Sequence, residues 1–72
     1  MDIKRSRKLD GEVRVDFDNG WYCAHSITEI GSPDDSAGRL TTMWAWINHL
    51  RSKRWWHPQL EERFIREVSK HL

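Results

Sequence analysis

The 72-residue sequence predicts an α+β domain in which a short antiparallel sheet is covered by a helical hairpin. Apolar and polar residues alternate strictly over residues 12–17, as they do in a strand with one buried face. In the second half of the chain, apolar residues recur at steps of three and four, which is typical of helices. We expect a hairpin or a three-stranded meander with strands at about 3–8, 12–18 and 21–28, followed by helices at about 33–52 and 58–71.

The first eight residues form a basic arm whose cationic members are Lys4, Arg5, Arg7 and Lys8. The dipeptide Asp10-Gly11 is a turn signal that would fold this arm back onto the next strand. The arm is therefore either an edge strand of the sheet or a disordered tail, and the sequence leaves both alternatives open.

The register of the following hairpin depends on its loop. A two-residue Asn19-Gly20 turn would pair Phe17 with Tyr22, whereas a three-residue loop with Gly20 in the left-handed conformation pairs Phe17 with Trp21. A slip of one residue moves every side chain to the other face of the sheet. The three-residue loop collects the apolar residues on one face, so we predict that loop. These residues are Val13, Val15, Phe17, Trp21, Cys23 and Ile27.

The first predicted helix carries two tryptophans on different sides. Its apolar stripe consists of Leu40, Met43, Trp44, Ile47 and Leu50. Trp46 lies about 160° around the helix axis from Trp44, because each residue turns the helix by about 100°. One stripe is seldom wide enough to bury both indoles. We therefore predict that Trp46 is exposed, beside His49 and Lys53.

Capping residues and prolines indicate the helix ends. Ser32-Pro33 is typical of a helix start, and a glycine in the opening turns allows a start nearer Ser36. Pro58 suits the first position of the second helix. Residues 52–57 then connect two antiparallel helices.

Composition limits the classes of function. The net charge is +1 and the sequence pI is about 8.0, too low to indicate nucleic-acid binding without other support. The single cysteine excludes an intramolecular disulfide. No segment is apolar enough for the core of a signal peptide or for a membrane span. We expect one soluble, cytoplasmic domain spanning residues 1–72.

No motif indicates catalysis or metal binding. Cys23 and His25 share a strand face, but Cys23 is predicted to point into the core, where a thiol is a poor nucleophile. The histidines and the cysteine otherwise lack the short spacings of zinc sites. We expect no enzyme activity, no metal and no cofactor.

The basic aromatic corner between the two helices is the strongest functional feature of the sequence. Trp and Arg are the residue types most enriched at the hot spots of protein interfaces. With five tryptophans in so small a domain, we expect at least one indole at the surface. The predicted partner-binding residues are Trp46, His49, Lys53, Arg54, Trp55 and His57.

We expect a small adaptor or inhibitor that binds a larger protein through this corner, of the kind common in bacterial and phage operons. The alternative is a nucleic-acid-binding protein that uses the same cluster together with the basic arm. Formation of a homodimer through the same surface is a third outcome.

Overall fold

The computed structural model describes residues 1–28, 30 and 39–72, with residues 39–42 described by their backbone alone. Within these ranges, a three-stranded antiparallel sheet of order β1-β2-β3 precedes two helices, which confirms the predicted α+β class. The start predicted for the first helix, near residue 33 or Ser36, lies outside the described residues. The elements are β1 (Ile3–Leu9), β2 (Glu12–Phe17), β3 (Tyr22–Ser26), α1 (Arg39–Arg51) and α2 (Pro58–Ser69).

The basic arm is the edge strand β1. Asp10 and Gly11 connect it to β2 with φ values of 50° and 78°. Positive φ at both positions is what the tight two-residue hairpin turn requires, and it matches the right-handed twist of the strands. The register between β1 and β2 shifts between Ile3 and Arg5, which makes Lys4 the extra residue of a β-bulge.

The hairpin of β2 and β3 has the predicted three-residue register. Val15 pairs with Cys23, and the Phe17 N–H donates a hydrogen bond of 2.8 Å to the carbonyl oxygen of Trp21. Gly20 closes the loop with a φ of 91°, a conformation that costs glycine little. Alternate residues of β2 therefore face the core, as the hydrophobic pattern predicted.

The core lies between one face of the sheet and the two helices. Val13, Val15 and Phe17 supply the sheet side. Within the described ranges, the core residues of both helices pack on this one face of the sheet. The buried hydrophobic residues are Val13, Val15, Phe17, Ile30, Met43, Trp46, Ile47, Leu50, Leu60, Phe64 and Val68.

The prediction that Trp46 is exposed is wrong, because its side chain is 7% exposed and lies in the core. Its indole makes edge contacts with Phe64 at 5.0 Å and with His25 at 5.4 Å between ring centroids. These two rings belong to α2 and β3, so α1 buries the side that faces both elements. Met43, Trp46, Ile47 and Leu50 form that buried side, while Trp44 is half-buried at its margin.

The connector between the helices agrees with its predicted limits, since α1 ends at Arg51 and α2 begins at Pro58. His57 caps α2 from an extended conformation, and its Nδ1 accepts a hydrogen bond of 3.1 Å from the Leu60 N–H. The cap satisfies one of the free N–H groups at the helix start, and Pro58 at the first position has none to satisfy.

Candidate functional site

The helix corner, defined here as residues 49–58, carries five of the six predicted partner-binding residues. His49 and Arg54 are exposed, whereas Lys53, Trp55 and His57 are half-buried. Trp46 lies in the core and is therefore not part of this surface. The corner is a real surface feature, but its most accessible side chains are cationic rather than aromatic.

The two tryptophans of the corner close one end of the core. The Trp55 and Trp56 rings lie 5.0 Å and 6.2 Å from the ring of Phe17, and Trp56 also lies 5.6 Å from Phe64. Such offset and edge-on aromatic pairs each stabilise a fold by about 0.5–1.5 kcal/mol beyond the area they bury. Both indoles therefore have a structural role, with one edge left at the surface.

One side of the corner is a stacked group of Lys53, Trp21 and Trp55. The ammonium of Lys53 lies 4.8 Å from the centre of the Trp21 ring, and the Trp21 and Trp55 rings are 5.6 Å apart. A cation at this distance over an indole is attracted by the negative face of the ring. Lys53 is thus already engaged within the domain.

His57 is also engaged by its own chain. Besides the cap on Leu60, its Nε2 lies 3.3 Å from the carbonyl oxygen of Met1. The imidazole therefore joins the start of α2 to the start of the chain, and we assign it a positioning role in the corner.

The other side of the corner holds an ion pair between the two helices. The Arg51 guanidinium donates from Nε to Glu61 Oε1 at 2.6 Å and from Nη2 to Glu61 Oε2 at 2.8 Å. Trp56 Nε1 donates to the same Oε1 at 3.1 Å. These hydrogen bonds, that of Arg51 above all, lower the pKa of Glu61. The carboxylate is held by three donors in a fixed geometry, as is typical of a bidentate pair.

The guanidinium carbon of Arg51 also lies 5.7 Å from the centre of the Trp44 ring. A surface depression of about 260 Å³ lies beside this pair, lined by Arg51, Trp56, His57, Pro58 and Glu61. From the sequence, Arg51 belongs to the basic aromatic corner but is not among the predicted partner-binding residues. Its partner lies on the next helix, so no local pattern pointed to the pair.

Of the basic arm, Arg5 and Arg7 lie on the sheet face turned away from the helices, near Asp16. Lys4 occupies the bulge and Lys8 pairs with Val13, and both lysines are exposed. The arginines of the arm and the cations of the corner therefore belong to different surfaces.

Cys23 is not an activated thiol. Burial, with a smaller contribution from the charge of Asp16, raises its pKa to about 12. Because the thiolate is the nucleophile, this thiol is unreactive at neutral pH. Among the described residues, no group of three His, Cys, Asp or Glu side chains could hold a metal ion.

A second polar group has catalytic residue types in a different arrangement. The Ser6 hydroxyl lies 3.0 Å from Glu67 Oε2 and 3.1 Å from His71 Nε2. In a nucleophilic triad the imidazole lies between the hydroxyl and the carboxylate, whereas here the hydroxyl lies between the other two. The group connects β1 to the end of α2, and we read it as structural.

No family model, curated protein or solved structure matches this chain. Within the part of the chain that the structure describes, neither helix has the length and apolar character needed to cross a bilayer. A functional interpretation therefore depends on the geometry of the chain's own surfaces.

Proposed function

We propose that this protein is a non-enzymatic module that binds a larger protein through the helix corner, as an adaptor or an inhibitor. The observation that carries the proposal is the ion pair of Arg51 and Glu61, which lies with Trp56 beside a surface depression. The Arg51 guanidinium also lies over the ring of Trp44. Tryptophan and arginine supply most hot spots of protein interfaces.

The fixed position of the Arg51 side chain supports the proposal that the partner is a protein. Ordering a long side chain at an interface costs about 0.5–1.5 kcal/mol, and a side chain that is already ordered avoids most of that cost. Glu61 and Trp56 order Arg51 before any partner arrives. Arg54 is exposed at the margin, where a charge steers association more than it adds affinity.

Nucleic acid at the helix corner has less support. Arg51 is paired with Glu61, and Lys53 stacks on Trp21. A phosphate at either cation would have to displace an existing contact. The single cysteine fits a reducing compartment, which supports a cytoplasmic location for the proposed activity.

The proposal is tested by affinity capture with matched variants. The corner variant Arg51→Ala/Arg54→Ala and the control Arg66→Ala/Lys70→Ala each remove two cations, and the control residues lie on the exposed side of α2. Circular dichroism first confirms that both variants fold. We expect wild type and control to capture the same protein from the source cells and the corner variant to lose it.

Capture of the same protein by the corner variant would contradict the proposed site. A homodimer is distinguished by light scattering over a range of concentrations, because self-association through the corner would be weakened by the same double variant.

A further inference from the structure

The sheet face opposite to the core concentrates arginines from two strands. Residues paired directly across antiparallel strands point to the same face. Arg5 pairs with Asp16, Arg7 pairs with Arg14, and Asp16 pairs with Tyr22. These five residues therefore share the side opposite to the core, and we call them the arginine face.

The arginine face carries more positive charge than its carboxylate can balance. Asp16 Oδ1 lies 3.1 Å from Arg14 Nε, whereas Asp16 Oδ2 lies 3.6 Å from Arg7 Nη2 and 3.7 Å from Arg5 Nε. The two longer distances exceed hydrogen-bonding range. The carboxylate is 15% exposed and the Arg5 side chain is 58% exposed, so the guanidinium groups cover the negative charge.

Asp16 does not use the full donor capacity of the Arg7 guanidinium, whose side chain is 33% exposed. Arg7 Nε is shielded from water and has no hydrogen-bond partner among the described residues. Lys8 pairs with the buried Val13 and so lies on the core side of the sheet, and Lys4 occupies the bulge. Glu12 is a further carboxylate at the turn end of the arginine face. Guanidinium groups match the geometry of phosphate oxygens better than any other side chain does.

An exposed aromatic ring lies within the same group. Tyr22 is 56% exposed, and the guanidinium carbon of Arg14 lies 4.1 Å from the centre of its ring. The stacked arginine restrains the ring and leaves much of its surface open. An aromatic ring beside cations is the arrangement on which single-stranded nucleic acids stack their bases.

We propose that the arginine face binds single-stranded nucleic acid, with Arg5 and Arg7 contacting phosphates and Tyr22, which Arg14 holds in place, stacking on an unpaired base. Double-stranded nucleic acid has phosphates, but its bases are stacked within the helix and cannot stack on Tyr22. An acidic protein has carboxylates but no bases that could stack on Tyr22. This site is separate from the helix corner, so its test is independent of the proposed protein partner.

The test is fluorescence anisotropy with labelled single-stranded oligonucleotides of about 12–16 nucleotides, in DNA and RNA forms, titrated from about 50 mM salt upwards. The variants are Arg5→Gln/Arg7→Gln and Tyr22→Ala, and the control is again Arg66→Ala/Lys70→Ala. Circular dichroism checks that each variant folds. Tyr22→Ala changes no charge, so it separates stacking from simple electrostatic attraction.

We expect saturable binding by wild type and control. In a plot of the logarithm of the association constant against the logarithm of the salt concentration, the slope should be about −1.4 to −2.8. This range is expected for roughly two to four phosphate contacts on a single strand. Tyr22→Ala should weaken binding by about fivefold or more. The arginine variant should weaken binding and flatten the slope.

The proposal would be overturned by no binding at the lowest salt or by unchanged binding in both variants. Duplex DNA and poly-glutamate are titrated in the same way, and equal affinity for either of them, with no effect of Tyr22→Ala, would also overturn it. The last result would identify a general anion surface that recognises acidic proteins. Should the arginine variant fail to fold, Tyr22→Ala and the wild-type salt slope decide the outcome.

Discussion

Replacement of Trp46 by alanine should cost far more stability than replacement of Trp44. Trp46 is 7% exposed, and burial of a large aromatic side chain removes about 150–250 Å² from water. At about 25 cal/mol per Å² this corresponds to about 4–6 kcal/mol. Measured substitutions of buried aromatic residues by alanine cost about 3–5 kcal/mol. Trp44 is half-buried at the margin, where we expect a loss of about 1–2 kcal/mol.

Urea unfolding followed by far-ultraviolet circular dichroism measures both losses. At about 0.05–0.15 kcal/mol per residue, a domain of 72 residues has a free energy of unfolding of about 4–11 kcal/mol, so Trp46→Ala should remove a large part of it. Trp46→Phe and Trp44→Phe therefore accompany the alanine variants. They keep an aromatic ring at each position and leave enough stability for a full transition.

Which tryptophan costs more stability when it is replaced shows which side of α1 is buried. If Trp44→Ala and Trp44→Phe reduce the free energy of unfolding as much as the corresponding Trp46 variants, or more, then α1 buries the side predicted from sequence spacing. The described packing of Trp46 against Phe64 and His25 would then be wrong.

The pKa directions of Cys23 and Glu61 give two further predictions. Cys23, with a pKa of about 12, should react with a thiol reagent at pH 8 about a thousandfold more slowly in the native protein than in urea, and equal rates would contradict its burial. Arg51 lowers the pKa of Glu61 below 4.5 in the folded state, so the pair stabilises the fold above that pH and this stabilisation is lost as pH falls through the lowered value. Glu61→Gln should therefore lower the free energy of unfolding near pH 7, and that free energy should fall less in the variant than in wild type as the solution is acidified. Identical dependences of stability on pH in wild type and variant would contradict the pairing.

Apart from β1, which the sequence left open, the elements and their order followed from the sequence because their signals are local. The register of β2 and β3 depends on Gly20 and on the alternation of adjacent residues, and one slip would have exposed the whole apolar face. Pro58 marked the start of α2 for a similar reason, since proline suits only the first turn of a helix. The position of the helix corner was likewise predictable.

The chemistry of the corner was only partly predictable, because its contacts join residues that are distant in the chain. Cationic and aromatic residue types at the corner were visible in the sequence. The bidentate pair of Arg51 and Glu61 depends on how α2 returns past the end of α1. The arginine face likewise required the pairing of β1 with β2, because a basic arm left as a tail would not meet Arg14 and Asp16.

The sequence by itself determined β2, β3 and the two helices, their order and the register of β2 with β3, since each depends on periodicity and turn chemistry within a few residues. Only the tertiary structure decided which indole of α1 enters the core. Met43, Ile47 and Leu50 form an apolar stripe with either Trp44 or Trp46 on its flank. The choice between them depends on where Phe64 and His25 lie, and those rings come from other elements of the fold.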